Sequence, residues 1–296
     1  LTGNSAGTSI GAFIGIMNAV VVPVININNN TLAGDSTATV TGLHYSIYNY
    51  GGSTTANINS NSIGTSVLPA IKFTAANAAS QLFIYNYKGA TTCALSINNN
   101  TFYNVLYAIA TTASNTYIQN SYATKSQAIN GNTFTNMNVT TTGSIRFISN
   151  NVAVSATGTQ NVNSNSISGT FAKAGGGAVT LFTSTTASLA GSIINNSNNN
   201  FSNITLTGTT VMNGWVNTDA GNSTKTIQNN IFSKWTMGTG AATALNVNIS
   251  GTNNSTTGNT ISNISGGGSI TGITTAAGND KIYSNTIDTL ISTGTT

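Results

Sequence analysis

A chain of 296 residues with 46 asparagines, no glutamate and four aspartates carries its polarity almost wholly in uncharged side chains. Charged residues make up 4% of it, against a globular norm of about 25%. That excludes the dense basic footprint a phosphate backbone needs and the high-charge composition of disordered chains. One cysteine, Cys93, leaves no internal disulfide framework.

Taken in chain order, the stretch from Ile10 to Ile25 is the most apolar, but Asn18 and Pro23 interrupt it. It is shorter than the roughly 20 residues that a membrane-crossing helix requires. Residues 1–25 therefore read as a capping segment or first coil, and no membrane insertion is expected. From there a short phrase recurs: an apolar residue, two spacers, an asparagine, one spacer, another apolar residue. Copies stand at Ile27-Asn30-Leu32, Ile58-Asn61-Ile63, Ile97-Asn100-Phe102, Ile129-Asn132-Phe134, Phe147-Asn150-Val152, Val162-Asn165-Ile167, Ile227-Asn230-Phe232 and Ile282-Asn285-Ile287. Asn199-Phe201 and Asn259-Ile261 are partial copies without the leading apolar residue. Successive markers lie 31, 39, 32, 18, 15, 34, 31, 29 and 26 residues apart. The 18 and 15 sum to one period, so Asn150 marks a second strand within a turn.

A repeat near 30 residues with β-type content is the mark of a solenoid. Each period holds three short alternating runs: the phrase itself (Lys281 to Ile287), the run after it (Phe201 to Leu206) and the run before the next marker (Ser269 to Thr274). Gly-rich corners such as Gly175-Gly176-Gly177 and Gly266-Gly267-Gly268 separate them. The predicted fold is all-β: a right-handed parallel β-helix of about nine coils, three short strands per coil, forming one unit over residues 1–296. Because the pattern runs to both ends without a leader, the chain reads as a segment of a longer protein. Ile97, Phe102, Ile129, Phe134, Ile227 and Phe232 are expected inside, and Cys93 as a small buried residue.

The asparagines Asn30, Asn61, Asn100, Asn132, Asn165, Asn230 and Asn285 are expected at the corners of successive coils. Asparagine tolerates the left-handed conformation, and its amide both donates and accepts along the axis. Stacked carboxylates would repel, which fits a chain with 46 Asn and four Asp.

The wording of Asn259 to Ile273 and of Lys281 to Ile287 resembles the giant parallel β-helix repeat proteins of Bacteroidota, which are adhesin-like and exported, often by type IX secretion. The resemblance covers most of the chain, most clearly from Asn195 onward; the C-terminal sorting domain usual in that group is missing. It implies an extracellular or cell-surface location. It also implies O-glycans on Asp-Ser/Thr sites, here Ser36 in Asp35-Ser36-Thr37 and Thr289 in Asp288-Thr289-Leu290, both expected on exposed corners.

Chemistry is sparse. Glycoside hydrolysis needs two carboxylates facing one bond, and lyase chemistry wants acids that hold Ca²⁺ with a base nearby. The aspartates are scattered, with one arginine (Arg146) and one histidine (His44). Asp35 and His44 are the nearest to an acid–base pair. No catalytic residue, metal cluster or cofactor site is expected, and no nucleic-acid partner. Tyr48 and Tyr50 recur as Tyr85 and Tyr87, 37 residues on, so the two phrases should stack in adjacent coils as a candidate adhesive surface; Trp215 and Trp235 are weighed the same way. The reading is a non-catalytic structural or adhesive segment, with self-association into a fibre, other surface proteins or glycans as partners. The alternative is a carbohydrate-binding or carbohydrate-modifying β-helix.

Overall fold

Apolar residues that recur once per turn of chain are buried by stacking turn on turn, not within one turn. The computed structural model describes residues 4–5, 12–88, 92–123, 125–247, 251, 254–275 and 280–294, and in it every strand pairs in parallel with its equivalents one coil away. No helix occurs among these residues. Three sheets hold nine strands each. Sheet one runs from Phe13–Asn18 through His44–Asn49 and Gln81–Asn86 to Ile270–Thr274. Sheet two runs from Val24–Asn26 to Asp280–Tyr283, and sheet three from Thr31–Leu32 to Thr286–Ser292. Each coil gives one strand to each. A fourth, four-stranded sheet (Asn4–Ser5, Asp35–Thr37, Ile71–Phe73, Leu106–Tyr107) exists in the first coils and gives way to long sheet-three strands such as Thr133–Thr140.

The expected inward residues Ile97, Phe102, Ile129, Phe134, Ile227 and Phe232 are all fully buried, as is Cys93. Phe102 stacks on Phe134 with ring centroids 5.0 Å apart. Each such burial contributes about 1.5–3 kcal/mol of transfer free energy. Trp215 and Trp235 are core residues too. Trp215 stacks on Phe182 at 4.3 Å and its indole donates to Asn196 Oδ1, while that of Trp235 donates to the Phe201 carbonyl.

Several local expectations are corrected. The phrase Lys281 to Ile287 is not one strand: Ser284, at φ 54°, turns the chain from Asp280–Tyr283 in sheet two to Thr286–Ser292 in sheet three. The left-handed residue at this corner is the one before the marker asparagine, not the marker itself. Asn29, Ser60, Asn99, Gly131, Ser164, Asn198, Asn229, Gly258 and Ser284 all have φ between 54° and 65°. Asn, Ser and Gly are residues for which that region is least costly or locally hydrogen-bonded. A second left-handed residue kinks sheet three at Asn136, Asn203, Lys234 and Asn263. It turns two side chains three positions apart inward together, as in Phe134 with Met137, Phe201 with Ile204 and Phe232 with Trp235. In the first coil, Phe13–Asn18 and Val24–Asn26 form strands, but Met17, Val20, Val21 and Val24 stay exposed instead of packing inward; Ile10 lies outside the described residues.

Candidate functional site

The asparagine corner is a polar feature repeated coil after coil. Nine residues, Asn30, Asn61, Asn100, Asn132, Asn165, Asn199, Asn230, Asn259 and Asn285, form an unbroken axial ladder, each Nδ2 donating to the Oδ1 one coil on at 2.8–3.0 Å. Asn199 and Asn259 were not among the expected members; a leading apolar residue proves unnecessary, because Asn196 and Thr256 also turn inward. At Asn132 the amide is saturated. Its Oδ1 accepts from both Nδ2 and the backbone N–H of Asn100, and its Nδ2 donates to Asn165 Oδ1 and the Ile97 carbonyl. Two donors and two acceptor positions are all an amide has, so the ladder leaves nothing for a ligand.

A second file, Asn18, Asn49, Asn86, Asn120 and Asn150, closes sheet one with Nδ2 to Oδ1 distances of 2.7–2.9 Å. This is where the Asn150 marker belongs. Beyond it stands Ser184, and Asn150 donates inward to Gln127 Oε1 instead. From there amides of sheet two continue through Gln160 and Asn196 to Asn217.

The titratable groups do not assemble. His44 is buried, stacked on Phe13 at 5.4 Å and edge-on to Phe83 at 5.1 Å, and burial lowers its pKa to about 3. A neutral imidazole between aromatic rings is a core residue, not half of an acid–base pair with Asp35. Asp219 is buried and accepts from Ser188 Oγ at 2.5 Å and Gly221 N–H at 2.9 Å, with Lys225 Nζ at 3.7 Å, itself buried. Such a pair is retained only when its oxygens are otherwise satisfied, as here. Lys173 is buried and donates to the Gly176 carbonyl, and desolvation lowers its pKa to about 8. Among the described residues no three His, Cys, Asp or Glu come together, and no helix is long and apolar enough to cross a membrane.

The tyrosine phrases stack as expected, Tyr48 opposite Tyr85 in adjacent strands. Tyr48 lies between Tyr45 (4.5 Å) and Tyr85 (5.4 Å), nearly parallel to both; Tyr50 and Tyr87 stack at 5.5 Å, with Lys88 Nζ 4.4 Å above Tyr50. Burial, then the neighbouring phenols, push the Tyr48 pKa up to about 12. The rings of this row give their faces largely to one another.

Of the two glycosylation candidates, Thr289 is exposed at a left-handed position, φ 52°. Ser36 is not on an exposed corner: it is half-buried in mid-strand, paired to Asn4 and Lys72, because the fourth sheet covers it on both sides.

Comparison with protein families, curated proteins and solved structures returns no match. A cleft of about 350 Å³ lies elsewhere, beside the 64–70 loop. Its signal in the sequence was the 39-residue interval from Asn61 to Asn100, the longest in the chain.

Proposed function

We propose that this chain is a non-catalytic rod segment of an extracellular or cell-surface protein, whose work is spacing, display or adhesion. One observation carries the reading: the groups that could do chemistry are spent on structure. His44, Asp35, Asp219, Lys173 and Lys225 are all buried, while the exposed surface is mainly Thr, Ser, Asn and scattered apolar residues, with Asp288 and isolated cations such as Lys72, Lys125 and Arg146. Little electrostatic repulsion opposes side-by-side or end-on packing of such rods, which favours self-association. The resemblance of the repeats to giant β-helix surface proteins of Bacteroidota supports the location, and export of the type IX kind is part of the same reading.

Two measurements test it together. Protease treatment of intact source cells should release peptides of this chain, and the purified chain should liberate no reducing ends from a panel of neutral and acidic polysaccharides. Retention inside intact cells, or turnover of any of these polymers, would overturn the proposal.

A further inference from the structure

Repeat proteins place insertions on one face, often the binding face, and this chain has one pronounced insertion. Between Asn61 and Asn100 the coil is lengthened, and residues 64–70 stand out from the rod between Ser62–Ile63 and Ile71–Phe73. The loop is built to hold its shape. Thr65 N–H donates to the Leu68 carbonyl at 2.8 Å, and Thr65 Oγ1 accepts from Leu68 N–H at 2.9 Å. The stems are tied by Gly64 N–H to Leu32 and by Ala70 N–H to Asn104, at 2.7 and 2.8 Å. Gly64 is required: at φ +88° a Cβ there would meet Tyr103 Cβ at 2.7 Å.

Between this loop and the next two coils lies a cleft of about 350 Å³, within the span of small-molecule sites, roughly 300–1,000 Å³. One wall is Val67, Leu68 and Leu106, exposed by 85%, 48% and 39%, three apolar groups gathered beside one cleft. The floor is Tyr103, half-buried, whose ring stacks on no other aromatic among the described residues, unlike the tyrosines of sheet one. The other wall carries Asn104 and Asn136. Each amide is pinned by its oxygen, Asn104 Oδ1 accepting from Asn138 N–H at 2.9 Å and Asn136 Oδ1 from Thr170 N–H at 3.4 Å. Their Nδ2 groups and the Tyr103 hydroxyl make no hydrogen bond within the described residues, and all three residues line the cleft. No lining residue carries a charge.

We infer that this cleft binds a neutral saccharide, of mono- to disaccharide size. An anion would call for Lys or Arg and a metal ion for carboxylates, and neither lines it. A sugar ring offers what the lining lacks a partner for: an apolar C–H face for Tyr103, Val67 and Leu68, and ring hydroxyls to accept from two amides held in advance. Fixed donors reduce the ordering cost of binding. The rod reading does not depend on this site, and an empty cleft would leave it standing.

The test is titration of the purified chain, with labelled Val and Leu methyls, by a panel of neutral oligosaccharides of gluco, galacto, manno and N-acetylhexosamine type. Sialyllactose, AMP and a proline-rich peptide serve as comparators. At least one neutral sugar should give saturable shifts at Val67, Leu68 and Leu106. Tyr103→Ala and, separately, the exposed-loop change Leu68→Ala should each weaken it about tenfold, while Tyr122→Ala, on another corner, leaves it unchanged. Wild-type-like spectra away from the cleft confirm that the variants are folded. No neutral sugar shifting these methyls, equal binding by Leu68→Ala and the wild type, or preference for any comparator would overturn the inference.

Discussion

Asn132→Ala should destabilise the chain by about 3–6 kcal/mol, far more than its loss of volume suggests. The truncation strands the Asn100 Nδ2 and N–H groups, both of which donate to Asn132 Oδ1, and removes a donor from the Ile97 carbonyl. Each buried group left unpaired costs about 1–3 kcal/mol. Asn132 is fully buried, so water cannot substitute. Asn30→Ala is the matched control: Asn30 donates to Asn61 Oδ1 and to the Asn28 carbonyl, at the partly exposed start of the ladder, and its loss should cost about 1 kcal/mol or less. Because solenoid stability is largely local, urea melts should be read beside hydrogen exchange of the Asn100 and Asn132 amides. Equal effects of the two substitutions would show that the ladder is ornament.

That ladder was the most legible part of the sequence, since an asparagine between two inward residues recurs once in every coil. The left-handed residue beside it was not legible. The pattern Asn28-Asn29-Asn30 or Asn59-Ser60-Asn61 shows several residues fit for positive φ, and which one takes it depends on the amide that the ladder claims. The kink at Asn136 or Asn203 was hidden likewise, because it breaks the alternation by which strands are recognised. At the candidate site, the aromatic stack followed from the repeated tyrosines, whereas the cleft over Tyr103 could not be read as a site. Its residues are brought together from three coils, and the sequence flagged only a lengthened interval. Burial of Lys173, Lys225 and Asp219 ran against ordinary expectation for charged residues, and nothing in their local sequence announced it.

Acid should unfold this chain through one residue. His44 has a native pKa of about 3 through burial, against roughly 6.5 in an unfolded chain. The folded value is the lower one, so below pH 6.5 the unfolded state binds a proton that the native state refuses. Stability is therefore full above neutral pH, falls as pH drops from about 6.5 toward 3, and loses about 5 kcal/mol over that window at 1.36 kcal/mol per pKa unit. His44→Phe, which keeps a ring between Phe13 and Phe83, should flatten the urea-midpoint profile from pH 7 to 5. Parallel profiles for the two proteins would refute the assignment.

The central claim is that coils stack in fixed register at the interstrand spacing, and distance measurement between spin labels tests it most directly. In a Cys93→Ala background, labels go on outward positions of one sheet-one column, which runs Met17, Tyr48, Tyr85, Gln119, Ser149, Thr183, Val216, Asn246 and Thr274. At about 4.8 Å per coil, Met17 to Thr183 should measure roughly 24 Å, Met17 to Val216 roughly 29 Å and Met17 to Thr274 roughly 38 Å, apart from the reach of the labels. The account predicts narrow distributions that rise linearly with coil number. Distances that fail to increase by one interstrand spacing per coil, or broad distributions at all three pairs, would contradict it.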